Sequence, residues 1–214
     1  MWRIIQKDMK YYLVAFLSTY PLMMLFWTAK RDSSAFILVF FIQVMLLGAL
    51  VVLPPLFAEQ EEDVNDGYVV LQILPLTKKS IMAGKFMAPL LNALLLYLSN
   101  RYIFSLFDQT PEVIRLVDAV QSLTIAICLC IIGIIYLVVM KIGYTDFLKY
   151  ASFITVALAF SSVFVTYLFR IDVERFSRGL MEFIGSIDPV KAGLGGLLLY
   201  LLLYFLSLKL DRNY

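Results

Sequence analysis

Residues 59–86 read EQEEDVNDGYVVLQILPLTKKSIMAGKF. Five acids open this cassette, a Leu-Pro step divides it, and three lysines close it. A plain connector between helices needs only about 2–8 residues. The runs on either side, 35–57 and 86–106, are long and apolar. A polar stretch this dense between two such runs fits a chain that leaves a membrane and returns to it.

The rest of the sequence agrees. The chain has 214 residues, of which 62% are hydrophobic and 16% charged, with a mean hydropathy of +0.86. Soluble domains are roughly 45–50% apolar and about 25% charged. A bilayer accounts for the excess, because lipid accepts apolar side chains on every face of a helix. A spanning helix needs about 20 mainly apolar residues, and six stretches qualify: 11–29, 35–57, 86–106, 119–140, 151–169 and 192–208. The runs are too continuous for a membrane β-barrel, whose strands alternate over about 10 residues. The expected fold is all-α and polytopic, with six transmembrane helices in a single domain over residues 1–214. Lys191 and Lys209 flank the last and shortest run, where their stems can snorkel to the interface.

Arg3, Lys7 and Lys10 before the first run resemble the start of a signal peptide. The run is long for that purpose and no A-x-A-like site follows it, so the first span is expected to be retained. With a cytoplasmic N-terminus, ten Lys and Arg fall inside and seven outside, with Arg101 counted within a span. The positive-inside rule therefore favours both termini in the cytoplasm.

Two further segments have helical spacing without spanning. In residues 1–10, Trp2, Ile5 and Met9 form an apolar stripe and Arg3, Lys7 and Lys10 a basic one, as in an interfacial helix. In the outside loop 170–191, Val173, Phe176, Leu180 and Phe183 recur at helical intervals, with Asp172 as N-cap.

Within the cassette, Val64, Tyr68 and Leu71 fall on one helical face, with Asn65 or Asp66 placed to cap it. Leu74-Pro75 stops that helix. Thr77 is placed to cap a new helix that begins at Lys78 and runs through Lys85 into the third span. Two roles suit this shape. One is a solvated loop held against anionic headgroups by its lysines; the other is a docking element for a cytoplasmic partner.

Several chemistries lack their residues. The chain has no His, which removes imidazole acid–base work and His metal ligation. Cys128 and Cys130 are two apart, so on a helix they point to different sides and suit buried packing. No G-x-x-x-x-G-K-[ST] occurs; Lys79 stands where the first glycine belongs and Phe86 follows Lys85. No hydrolase motif occurs either. A formal charge of +2 gives no footprint for nucleic acid. None of the six spans contains Asp or Glu, which counts against an ion-coupled carrier with midplane carboxylates.

The order E-x-E-E-D, G-Y-x-x-L, L-P-L-T-K-K-S-I and G-K-F resembles the segment between the second and third spans of ABC-2 type exporter permeases. The resemblance is closest to short bacterial six-span members, and it extends to the charged N-terminal helix, the outside helical loop and the short charged tail. It implies a cytoplasmic coupling helix, within 58–85, that seats in a groove of a separate ATPase subunit. By position, Glu59, Glu61, Glu62 and Asp63 would be the acidic contacts, and Gly67, Tyr68 and Leu71 the coupling helix. Leu74 and Pro75 would form the elbow, and Lys78, Lys79 and Lys85 the basic return. Glu62-Asp63 stands where the family pattern has Asp-Glu. The chain itself would be no enzyme and hold no cofactor; ATP and magnesium would sit on the ATPase. A second permease copy, identical or related, would complete the assembly in the bacterial cell membrane. The expected cargo is an amphipathic or hydrophobic molecule, peptides included. The alternative is a non-transporting membrane anchor or regulatory subunit for a cytoplasmic partner.

Polar groups inside spans are functional candidates by default. Asn92 fits either a helix–helix tie or a substrate path. Asn100 and Arg101, near the outer end of the third span, fit a path or an interfacial role. Pro21 and Pro89 are expected to kink their spans, and Ala157 and Ser161 suit a close helix contact.

Overall fold

The computed structural model describes residues 5–6, 8–14, 17, 33–64, 77–105, 111–152, 179 and 182–209. Its long elements are four helices: α1 (Ser33–Val64), α2 (Lys78–Ser105), α3 (Pro111–Ile142) and α4 (Pro189–Lys209). No strand occurs among the described residues. Three stretches are long and apolar enough to cross a membrane: Lys79–Tyr102, Ile114–Ile142 and Pro189–Lys209. The apolar runs 35–57, 119–140 and 192–208 fall inside α1, α3 and α4, and all but the last residue of 86–106 falls inside α2. The spans read at 11–29 and 151–169 lie mostly outside the described residues, as does half of the outside loop 170–191. Residues 8–14 are helical across the boundary drawn between the interfacial helix and the first span, and residues 182–186 are helical with Phe183 exposed.

The helix ends follow local chemistry. Thr77 caps α2: its Oγ1 accepts from the Ser80 amide at 3.3 Å, and its carbonyl accepts from Ser80 and Ile81. Asp188 caps α4, its Oδ1 accepting from the Val190 amide at 2.9 Å, with Pro189 in the first helical position. Gly143 ends α3 at φ 88°, where the lack of a Cβ removes the strain of a left-handed residue. A second helical stretch, 144–152, then leaves that end. On it Asp146 accepts from Lys149 at 2.9 Å, a hydrogen bond and charge that raise the exposed Lys149 pKa. α1 does not stop at the end of its apolar run. It continues through Pro54 and Pro55 to Val64 and carries the first acids of the cassette with it.

Contacts fix the directions. Glu59 and Leu50 of α1 meet Lys85 and Asn92 of α2, so these helices are antiparallel. Gly196 of α4 lies on Ala126 of α3, and Gly133 of α3 on Leu203 and Tyr200 of α4, so α3 and α4 run parallel. α3 and α4 make the most extensive contact in the bundle.

The core gathers Leu47, Val51, Met82, Phe86, Leu96, Ile132 and Tyr200. Phe86 is its hub, with ring centroids 5.3 Å from Tyr136, 5.1 Å from Tyr200 and 5.4 Å from Tyr204. In lipid the tails are as apolar as leucine, so such helices hold by van der Waals packing and hydrogen bonds rather than by escape from water. The Tyr200 hydroxyl donates to the Phe86 carbonyl at 2.9 Å, just upstream of Pro89. Tyr200→Phe removes this bond while keeping the ring. The expected loss is ~1 kcal/mol, read as a lowered melting temperature in mild detergent with the assembly otherwise unchanged.

Candidate functional site

The cassette emerges from a shared end of the bundle. The antiparallel register of α1 and α2 brings Glu59 and Lys85 face to face, and the two side chains form an ion pair. Their side chains are only 4% and 5% exposed. A buried charge is costly unless it is paired, so the pair must be held in a set geometry. Tyr136 lies within electrostatic reach of Tyr12, Glu59, Asp8 and Tyr200, and Tyr12 within reach of Tyr200 and Asp8. Asp8 is 3% exposed and Tyr12 2%. Two carboxylates, one ammonium and a group of tyrosines thus form a buried polar knot at the neck of the cassette.

The residues singled out in the cassette divide by depth. Glu59 and Lys85 face inward and meet each other. Glu61 and Lys79 are exposed, as is Thr77. Glu62 and Asp63 lie on the last turn of α1 and Lys78 opens α2. Gly67, Tyr68, Leu71, Leu74 and Pro75 lie outside the described residues.

The polar residues of the third span also separate. Asn92, 4% exposed, donates its amide to the Leu50 carbonyl at 3.1 Å and so ties α2 to α1. Arg101 is exposed and reaches the Tyr97 hydroxyl at 3.5 Å. Asn100 is 2% exposed, and its Nδ2 has no hydrogen-bond partner among the described residues. Gln121 on α3 is buried with both amide atoms likewise without partners among the described residues. Asp8 and Gln121 were not singled out by the sequence. Gln121 is the third residue of the apolar run read at 119–140, where a polar residue near a span end draws no notice; Asp8 reads as one charge among several. Cys128 and Cys130 are free thiols, the first buried near Gly48. Among the described residues no three His, Cys, Asp or Glu side chains gather as a metal site would require.

Three membrane-length apolar helices and an all-helical architecture define an α-helical membrane protein. The chain matches no family model, no curated protein and no solved structure.

Proposed function

We propose that the chain is the membrane-spanning subunit of an ATP-driven exporter of the ABC-2 type, driven by a separate ATPase that docks on the cassette. The observation that carries this reading is the neck. Both ends of the cassette are pinned to one another by a buried ion pair, while Glu61 and Lys79 remain exposed beyond it. A solvated tether needs no such anchoring; an element that passes force into the bundle does. Motion imposed on residues 60–84 would reach α1 through Glu59 and α2 through Lys85, then the Phe86 hub and its tyrosines on α3 and α4.

Six spans are part of the proposal. α3 and α4 are parallel, so the chain from 143 to 188 has to return from one end of the bundle to the other. The apolar run 151–169 has the length for that return. The cassette end also carries Lys10, Lys79, Lys85, Lys141, Lys149 and Lys209, against Arg101, Arg115 and Lys191 at the other end among the described residues. That asymmetry supports a cytoplasmic cassette. A second copy would complete the path for an amphipathic or hydrophobic cargo. ATP closing the ATPase dimer shifts the permease only if the ATPase grips the cassette differently in the two states.

The test reverses Lys78 and Lys79 to Glu together. In a mild-detergent pull-down from the native host, the wild-type protein should bring down a stoichiometric P-loop ATPase. The doubly reversed protein should lose it while keeping its own melting temperature. Retention of the ATPase with full transport by the reversed protein would remove the docking role, and a wild-type preparation free of any ATPase would remove the exporter reading.

A further inference from the structure

At the end of the bundle away from the cassette, α2, α3 and α4 leave a groove between them. Its volume is about 310 Å³, near the lower bound of small-molecule sites, which run roughly 300–1,000 Å³. Leu90, Ala93 and Leu94 form one wall, Ile125 and Leu129 another, and Gly193 with its neighbours the third. Leu94, Val190 and Leu194 are exposed, so the groove is open on its side. Among the described residues its polar lining side chains are Tyr97 and Ser122. In a helix that stands in a bilayer, such an opening faces hydrocarbon.

The lip of the groove is not apolar. Arg101 reaches the hydroxyl of the lining Tyr97 at 3.5 Å. Lys191, exposed, stands on the same first turn of α4 that lines the groove. Asp188 is engaged at that helix start by the amides of Val190 and Lys191, at 2.9 and 3.4 Å, and Asp118 lies one turn of α3 from Ser122. Cations at the ends of α2 and α4 that border an apolar slot match a phosphate at the mouth of a site for an acyl chain. Arg and phosphate form charge-assisted hydrogen bonds, and the neighbouring acids are compatible with a headgroup that also carries an ammonium.

We infer that this groove is a binding site for one bilayer phospholipid, with an acyl chain between α2, α3 and α4 and its phosphate at Arg101 and Lys191. The inference rests on the helices standing in a bilayer and not on the exporter reading. Gly193 keeps the slot open. A Cβ there meets nothing within 4 Å, and neither does one at Gly195, which does not line the groove. Gly193→Leu therefore enters the slot with room for its Cβ, and Gly195→Leu is its matched control.

The full chain is reconstituted in phosphatidylethanolamine nanodiscs. One set carries a phospholipid with a diazirine in its acyl chain; another carries a diazirine fatty alcohol, which lacks phosphate. After irradiation, mass spectrometry maps the labelled residues. The expected result is labelling of 90–97, 122–129 and 190–197 well above that of the outward-facing Leu202 and Phe205. Gly193→Leu should abolish the excess and Gly195→Leu should preserve it. Arg101→Gln with Lys191→Gln should lower phospholipid labelling roughly tenfold and leave fatty-alcohol labelling unchanged. Equal labelling along all lipid-facing residues, equal loss in the two glycine variants, or an insensitive charge pair would overturn the assignment. So would cross-links from the groove to a second copy of the chain in place of lipid.

Discussion

Lys85→Ala should cost the protein ~3–5 kcal/mol, because it leaves the Glu59 carboxylate without its ammonium in a buried site. Glu59→Ala should cost a similar amount by stranding the lysine. A thermal melt followed by size-exclusion chromatography in mild detergent measures both. The informative variant is the double one. Glu59→Leu with Lys85→Met fills the same space with apolar groups, and such replacements of buried pairs are often neutral or stabilising. The double variant should therefore melt near the wild type while both single variants fall well below it. That pattern would identify the penalty as one of stranded charge. If Lys85→Ala stays within ~0.5 kcal/mol of wild type, the pair is not buried in the working protein. Under the exporter proposal the double variant has a second use: it should fold and bind the ATPase yet transport poorly, since the neck no longer holds its geometry.

Adjacent glycines on α4 should respond with opposite signs. A Cβ at Gly196 would lie 2.7 Å from the Ala126 Cα, a backbone atom that cannot move aside without separating α3 from α4. Gly196→Ala should cost ~1–3 kcal/mol as an overpacked contact, and more if the helices part and the Tyr200 contacts to Phe86 go with them. Gly195→Ala meets open space and should be neutral, or gain up to ~1 kcal/mol from helix propensity. Gly133→Ala should fall between them, since its Cβ would meet the flexible Leu203 Cδ1 at 2.6 Å and the less mobile Leu203 Cβ at 3.1 Å. The same melting assay ranks all three. Equal melting temperatures for the Gly195 and Gly196 variants would mean that α3 and α4 do not approach as closely as described.

Local signals in the sequence carried the helices well. The apolar runs 35–57, 86–106, 119–140 and 192–208, the cap at Thr77 and the restart at Lys78 all depend on neighbours a few residues apart, and helices stand at each of them. Asp188-Pro189 was an equally local start signal for α4 and was passed over, because the apolar run only begins at Ala192. The failures are long-range. Glu59 and Lys85 lie 26 residues apart, and only the antiparallel register of α1 and α2 makes them partners. In sequence they read as two more charges in a polar stretch. The apolar run ends at Phe57 while α1 continues to Val64, since apolarity ends before helical backbone does. At the N-terminus the sequence draws the apolar stripe through Trp2, Ile5 and Met9; Trp2 lies outside the described residues, and among those described Ile5, Asp8 and Tyr12 are buried. A carboxylate on the inward face defeats any pattern built on hydrophobicity.

The pinned neck separates two kinds of change. Glu59 and Lys85 lock α1 and α2 to one another close to where α1 ends at Val64 and α2 begins at Lys78. Lengthening a closed loop costs little, about 0.6 kcal/mol per doubling. The stretch between Val64 and Thr77 is therefore the place to exchange or extend the cassette, whereas residues 78–84 belong to α2, with Met82 in the core. In engineering terms the pair works as a socket: a graft between positions 65 and 76 would be presented to a new partner from two helix ends that the pair holds together.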